Sequence, residues 1–187
     1  MSNLQTYNNS NNVFNINSSQ SIGGGGGVII KYILKEDHAL NSNVNIDATS
    51  GQNYKYLIIP TGKTLTIDSD KTLNIKSNSI GGTGNFAAII IQDGGTLTNK
   101  GAITREGDYS ILKIEDGALL TNTGNITIDK TIDIDGTLTN NGTLTNGGTL
   151  TNTGTLTNNN LVLDKSSNIF TFNSDGGISQ TLNTIFT

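Results

Sequence analysis

An all-β chain wound as a single-stranded parallel β-helix, a β-solenoid, is what this sequence predicts, and three observations carry the prediction. Aliphatic residues recur at every sixth position: Ile114, Leu120, Ile126, Ile132, Leu138, Leu144, Leu150, Leu156 and Val162. The residues between them are mostly Thr, Asn and Gly, with 27 Thr, 27 Asn and 23 Gly in 187 positions. That mix suits short strands and tight turns and disfavours helix. Cysteine is absent, so internal repetition rather than a disulfide framework must hold the chain together.

Alternation explains the period of six. Side chains of a strand point to opposite faces in turn. In Gly142-Thr143-Leu144-Thr145-Asn146-Gly147, Leu144 therefore points one way and both threonines the other. Gly142 shares the face of Leu144, where the missing side chain leaves room at a corner. Asn146 and Gly147 are read as corner residues that tolerate left-handed backbone angles. Each unit is then one strand plus one corner. Three units close a triangular coil of about 18 residues, stacked at about 4.8 Å per turn. An α-helix has the wrong period, and an antiparallel meander would need longer strands than the three or four residues available.

In chain order, residues 1–27 are a polar Asn/Ser/Gly-rich arm that ends in five glycines, Gly23 to Gly27, and is expected to be flexible. Residues 28–56 open with the apolar stretch Val28 to Leu34 and continue with Val44 and Ile46 in alternation. They are read as an irregular N-terminal cap or as the first rungs. Residues 57–163 are the solenoid. Its early part repeats with a period of eight, Lys63-Thr64-Leu65-Thr66-Ile67-Asp68-Ser69 echoed by Lys71-Thr72-Leu73-Asn74-Ile75-Lys76-Ser77. Ile91, Leu97, Ile103 and Tyr109 then show the six-residue spacing in a shifted phase, with an adjustment near Gly107 to Ser110. Residues 164–187 carry Ile169, Phe170, Phe172, Leu182, Ile185 and Phe186 and are read as a C-terminal apolar cap or an oligomer and docking tail. The spacing leaves the handedness of the coil open.

A net charge of −4 and a single arginine, Arg105, argue against binding to nucleic-acid phosphates. No apolar run approaches the length of a membrane span, and the N-terminus lacks the basic and apolar regions of a secretion signal. Membrane insertion is not expected.

Few residues have the makings of chemistry. Lys35-Glu36-Asp37-His38 places one histidine beside two carboxylates. With no second histidine or suitably spaced nucleophile, it is read as a solvated turn. Glu115 lies eighteen residues before Asp133. An 18-residue turn would stack these two carboxylates on adjacent rungs, and a cation such as Ca²⁺ would relieve their repulsion. Glu115 and Asp133 are therefore the metal candidates; no catalytic residue or other cofactor is expected. Asp93-Gly94, Asp116-Gly117 and Asp135-Gly136 are turn dipeptides. The glycine runs lack the Lys-Ser/Thr of a phosphate loop. The same 18-residue turn would stack Thr155/Thr157 on Thr137/Thr139, with Leu119/Thr121 below. Such ladders of threonine stop at two full rungs, too few for an ice-binding plane.

The repeats also place a small residue two positions before the aliphatic one: Ala118, Gly124, Gly136, Gly142, Gly148 and Gly154. In this the chain resembles hexapeptide-repeat and related parallel β-helix proteins over residues 114–163, and more loosely over 57–110, departing at Leu112, Lys130 and Asn160. The recurring Gly-Thr-Leu-Thr-Asn is similar to repeats of bacterial surface adhesins and of virion fibre or spike proteins. Acyltransferases of the hexapeptide family typically use a histidine, and His38 lies outside the repeats. Polysaccharide-cleaving β-helices project several acids, with Arg or Lys, into one groove. Here Arg105 stands alone, and no acids and aromatics fall at rung spacing. The resemblance thus implies a non-enzymatic structural component of a virion or extracellular assembly: a fibre, spike or minor capsid element with protein partners, itself included. The alternative it implies is a cell-surface adhesin that binds a glycan.

Overall fold

The computed structural model describes residues 14–20, 28–48, 53–77, 79–80, 83–84, 86–107, 109–159, 161–163, 169–172, 178–180 and 185–186, and the side chains it places lie within residues 29–159. Strand β1 (Phe14–Gln20) precedes the coil. The first rung is β2 (Val28–Leu34), β3 (His38–Leu40) and β4 (Val44–Asp47). The second is β5 (Asn53–Ile59), β6 (Thr64–Ile67) and β7 (Thr72–Lys76). A small antiparallel hairpin, β8 (Ser79–Ile80) and β9 (Thr83–Gly84), interrupts the path to the third rung. That rung is β10 (Phe86–Ile91), β11 (Thr96–Asn99) and β12 (Ala102–Glu106). The fourth is β13 (Ser110–Ile114), β14 (Leu119–Asn122) and β15 (Asn125–Ile128). The fifth is β16 (Thr131–Ile134), β17 (Thr137–Asn140) and β18 (Thr143–Asn146). The sixth is β19 (Thr149–Asn152), β20 (Thr155–Asn158) and β21 (Leu161–Leu163). The seventh is β22 (Ile169–Phe172), β23 (Ile178–Gln180) and β24 (Ile185–Phe186).

Each strand pairs in parallel with the strand one rung away, so the rungs stack into three parallel sheets, the sides of a prism. The first side begins with β2 and β5, the second with β3 and β6, and the third with β4 and β7. β1 extends the first side by pairing antiparallel to β2. Residues 14–20 of the expected arm are thus a strand; the remainder of the arm, 1–13 and 21–27, lies outside the described residues.

The alternating sequence stacks an apolar column inside each side of the prism, aliphatic apart from Tyr32. Tyr32, Leu57, Ile89, Leu112, Ile132 and Leu150 stack inside the first side. Leu65, Leu97, Leu120, Leu138 and Leu156 stack inside the second. Val44, Leu73, Ile103, Ile126 and Leu144 stack inside the third. All are buried, and burying such a side chain contributes about 1.5–3 kcal/mol.

The 18-residue turn holds where the repeats are strict, as in Leu120 to Leu138 and Leu138 to Leu156. Earlier rungs are longer: Leu65 pairs with Leu97, and Leu97 with Leu120. The six-residue count is corrected at three places. Leu112, not Ile114, takes the column of Ile132, and Ile114 pairs with Ile134 instead. The reason is a four-residue turn, Glu115–Ala118, where the next rung has only Asp135-Gly136. Tyr109 is 49% exposed rather than in the core. At the sixth rung, Leu161 rather than Val162 aligns with Leu144.

Two kinds of corner occur. Between the first and second sides, three four-residue turns stack, each closed by a hydrogen bond: Lys63 N to Pro60 O, Gly95 N to Gln92 O and Ala118 N to Glu115 O. Gly62, Gly94 and Gly117 have φ of 69°, 68° and 73°, the left-handed region that favours glycine. The two-residue corners of the strict repeats are different. A Cβ on Gly142 would strike the carbonyl of Gly124, one rung away, so this glycine is required by close approach, as its shared face with Leu144 implied. Gly147 has no left-handed φ, and Asn146 ends β18 with its side chain buried. The reading of these two as left-handed corner residues is therefore replaced.

The repeat asparagines point inward. On the second side, Asn99, Asn122, Asn140 and Asn158 stack in register. Asn99 Nδ2 donates to Asn122 Oδ1 at 2.7 Å, Asn122 Nδ2 to Asn140 Oδ1 at 2.6 Å, and Asn140 Nδ2 to Asn158 Oδ1 at 2.7 Å. Second protons go to backbone carbonyls, as from Asn99 to Asn125 O at 3.0 Å and from Asn140 to Gly142 O at 3.2 Å. Buried amides need this pairing. Below the ladder stands Ile67, the partner of Asn99, and Asn99 Oδ1 has no hydrogen-bond partner among the described residues.

Candidate functional site

Three outer features concentrate side chains beyond what the fold needs. The first is an ionic notch where the corner shortens. The turn containing Asp116 and Gly117 overhangs Asp135, Gly136 and Thr137, then Thr153, Gly154 and Thr155, leaving an open polar hollow of about 370 Å³. The register brings Lys113, not Glu115, opposite Asp133, because the four-residue turn that holds Glu115 has no counterpart one rung on. Lys113 Nζ lies 2.8 Å from Asp133 Oδ2 and 3.0 Å from Asp135 Oδ2. Thr153 Oγ1 donates to Asp135 Oδ1 at 2.5 Å. That hydrogen bond first, and Lys113 second, hold the Asp135 carboxyl below its ordinary value. The hydrogen bond to Asp133 leads the causes that raise Lys113. An ammonium thus sits beside Asp133 where stacked carboxylates were expected to call for a cation. Among the described residues, no group of three or more His, Cys, Asp or Glu is arranged to hold a metal ion.

The second feature is the outer face of the first side on its early rungs. Ile29, Tyr54 and Phe86 align across β2, β5 and β10, and Tyr56 aligns with Ala88 and Ile111. The ring of Phe86 lies 6.4 Å from that of Tyr54 and 5.7 Å from that of Tyr56, tilted by 35° and 44°, within the range of favourable aromatic pairs. Ile58 and Ala88 on this outer face are 8% and 1% exposed, yet neither belongs to the interior cluster. Burial pushes the Tyr56 phenol up, with Tyr54 adding to the shift. Aromatics do fall on adjacent rungs, contrary to the sequence reading. The rung from β5 to β10 is so long that no short period connects them.

The third is the outer face of the second side, where the register aligns threonines on rung after rung. Thr64/Thr66 pair with Thr96/Thr98, then with Leu119/Thr121, Thr137/Thr139 and Thr155/Thr157. Full threonine rungs still run no more than two deep on either side of Leu119, but longer connections, which a uniform 18-residue turn does not foresee, bring Thr64/Thr66 and Thr96/Thr98 onto the same face.

The remaining candidates are structural in their surroundings. Asp37 Oδ1 accepts from Thr64 N at 2.8 Å, tying the first rung to the second. His38 begins β3, paired with Leu65, and burial lowers its pKa. Arg105, read as standing alone, is buried opposite Ile75. Its guanidinium donates to Gly107 O at 2.8 Å and stands 3.1 Å from Asp129 Oδ1. Asp93-Gly94 and Asp116-Gly117 are the expected turns, with left-handed glycines, whereas Asp135-Gly136 is a short corner whose carboxylate joins the notch.

The stacked sides and their short corners define a parallel β-helix. No family model, curated protein or solved structure matches the chain.

Proposed function

We propose that this chain is a non-enzymatic structural component of a multichain assembly, of the fibre, spike or minor-capsid kind, in a virion or outside a cell. The observation that carries the reading is the outer face of the first side, where Tyr54, Tyr56, Phe86, Ile90 and Ile111 replace the polar residues of later rungs. These five side chains are each partly exposed, and an apolar sheet face is the surface that packs on another sheet, at about 10 Å. Prisms of stacked rungs also supply stiffness and length without catalytic side chains.

The test is the mass of the full-length protein in solution, by light scattering after gel filtration. A trimer or larger species that Phe86→Asp converts to monomer supports the reading. A monomer that binds no protein partner through this face overturns it. The same rings, with exposed Lys31 aligned beside Tyr56, favour a second reading as a glycan-binding adhesin, since an aromatic face with a polar flank suits a sugar ring. Binding to a glycan array that is lost in Tyr56→Ala would select it.

A further inference from the structure

We propose that the outer face of the second side is an ice-binding surface, a lattice of threonine hydroxyls and methyls that orders water into ice. Ten outward positions on five successive rungs hold nine threonines: Thr64/Thr66, Thr96/Thr98, Leu119/Thr121, Thr137/Thr139 and Thr155/Thr157. All are partly or fully exposed. Among the described residues, none of the nine hydroxyls has a protein hydrogen-bond partner. No charged side chain interrupts the two columns on these rungs.

Strand geometry sets the dimensions of this lattice. Neighbouring rungs lie about 4.8 Å apart, and residues two apart on a strand are about 6.6 Å apart. The repeat from rung to rung runs close to the shorter oxygen repeat of hexagonal ice. A threonine presents a hydroxyl that joins the hydrogen-bond network and a methyl that fits the space between water rings. Its branched Cβ restricts χ1, so both groups hold their places. Behind the same strands stand the Leu65-to-Leu156 column and the buried asparagine ladder, which keep the face straight.

Composition alone does not account for the array. In the strict repeats, Thr-Leu-Thr-Asn falls on all three sides, as in β17, β18 and β19. On the second and third rungs, outside those repeats, only the second side keeps the Thr-Leu-Thr part of it. Thr64-Leu65-Thr66 and Thr96-Leu97-Thr98 lie there, whereas the third side carries Thr72-Leu73-Asn74 and Ala102-Ile103-Thr104. The first side carries tyrosines, isoleucines and then the Lys113–Asp133 pair. A face that needed only to be wet would not hold to one residue type through 32- and 23-residue steps.

The experiment uses the full-length chain in dilute buffer cooled onto a growing ice hemisphere, with thermal hysteresis and inhibition of ice recrystallisation read alongside. The intact protein is expected to enter the ice and to shape crystals. Thr121→Tyr at the lattice centre is expected to abolish this, while Thr145→Tyr on the third side leaves it unchanged. Circular dichroism establishes that each variant is folded. If Thr121→Tyr does not fold, Leu119→Thr, which completes the lattice, is read instead and is expected to raise the hysteresis. Exclusion of the intact protein from ice overturns the proposal, as does equal loss in Thr145→Tyr or no gain in Leu119→Thr.

Discussion

Asn122 Nδ2 donates to Asn140 Oδ1 at 2.6 Å, one rung and eighteen residues away, inside the prism rather than at its surface. The bond makes a polar residue a core residue. It also shows that one tetrapeptide has different fates on different sides. Asn152 occupies the same place in Thr149-Leu150-Thr151-Asn152, but stands beside Ile134, and both its amide atoms lack partners among the described residues.

Opposite signs are therefore expected for two similar substitutions. Asn140→Ala cuts the ladder at its middle and should destabilise by about 1–3 kcal/mol, the cost of leaving buried amide groups unpaired. Asn152→Leu removes an amide with no partner among the described residues and should stabilise, by up to about 1–3 kcal/mol on the same scale. Urea unfolding of the two variants against the parent measures both. Equal destabilisation by the two would remove the ladder from the account.

The corner glycines separate in the same way. Gly142→Ala places a methyl against the carbonyl of Gly124, whereas a Cβ at Gly147 meets only Asp129 atoms at 3.5 and 3.6 Å. A lower melting temperature is expected for Gly142→Ala. Gly147→Ala should be neutral or stabilising, by about 0.4–1 kcal/mol through loss of unfolded-state freedom.

Acid should loosen the notch. The folded pKa of Asp135 is depressed, so the stability it contributes is complete above the ordinary carboxylate pKa of about 3.9. It is lost as pH falls through the lower folded value. Lys113 is raised, so its share is present below about 10.5 and is lost in strong alkali. Melting temperatures followed from pH 7 to pH 2 should fall below about pH 4. Asp135→Asn should start lower at pH 7 and fall less steeply. Both side chains are about a third exposed, and added salt should weaken the effect.

How much of this was legible depended on where rungs are equal. The columns through Leu120, Leu138 and Leu156 follow from a strict period, and so did the parallel coil. The pairing of Tyr54 with Phe86, of Arg105 with Asp129 and of Thr66 with Thr98 did not. Each spans a connection whose length no period predicts. Glu115 was matched to Asp133 for the same reason: two extra turn residues moved Lys113 into that place. The asparagines were misread because Asn is a common corner residue, and only the ladder shows that they turn inward. A usable signal was present in the recurrence of Asn99, Asn122, Asn140 and Asn158 behind an aliphatic on the same side.

The identity of β17, β18, β19 and β20, all Thr-Leu-Thr-Asn, has a consequence for how the chain finds its frame. Sliding this stretch by one unit would carry each strand to the next side and still bury a leucine, so the hydrophobic columns cannot tell one setting from another. The irregular early rungs can. β16 is unlike the units that follow it, and Lys113 pairs with its Asp133 on the first side, so the two-residue corner after it delivers β17 to the second side and no other. The uneven first half thus acts as a key that sets the phase of a tandem array with no landmark of its own, and winding is expected to proceed from it toward the C-terminus.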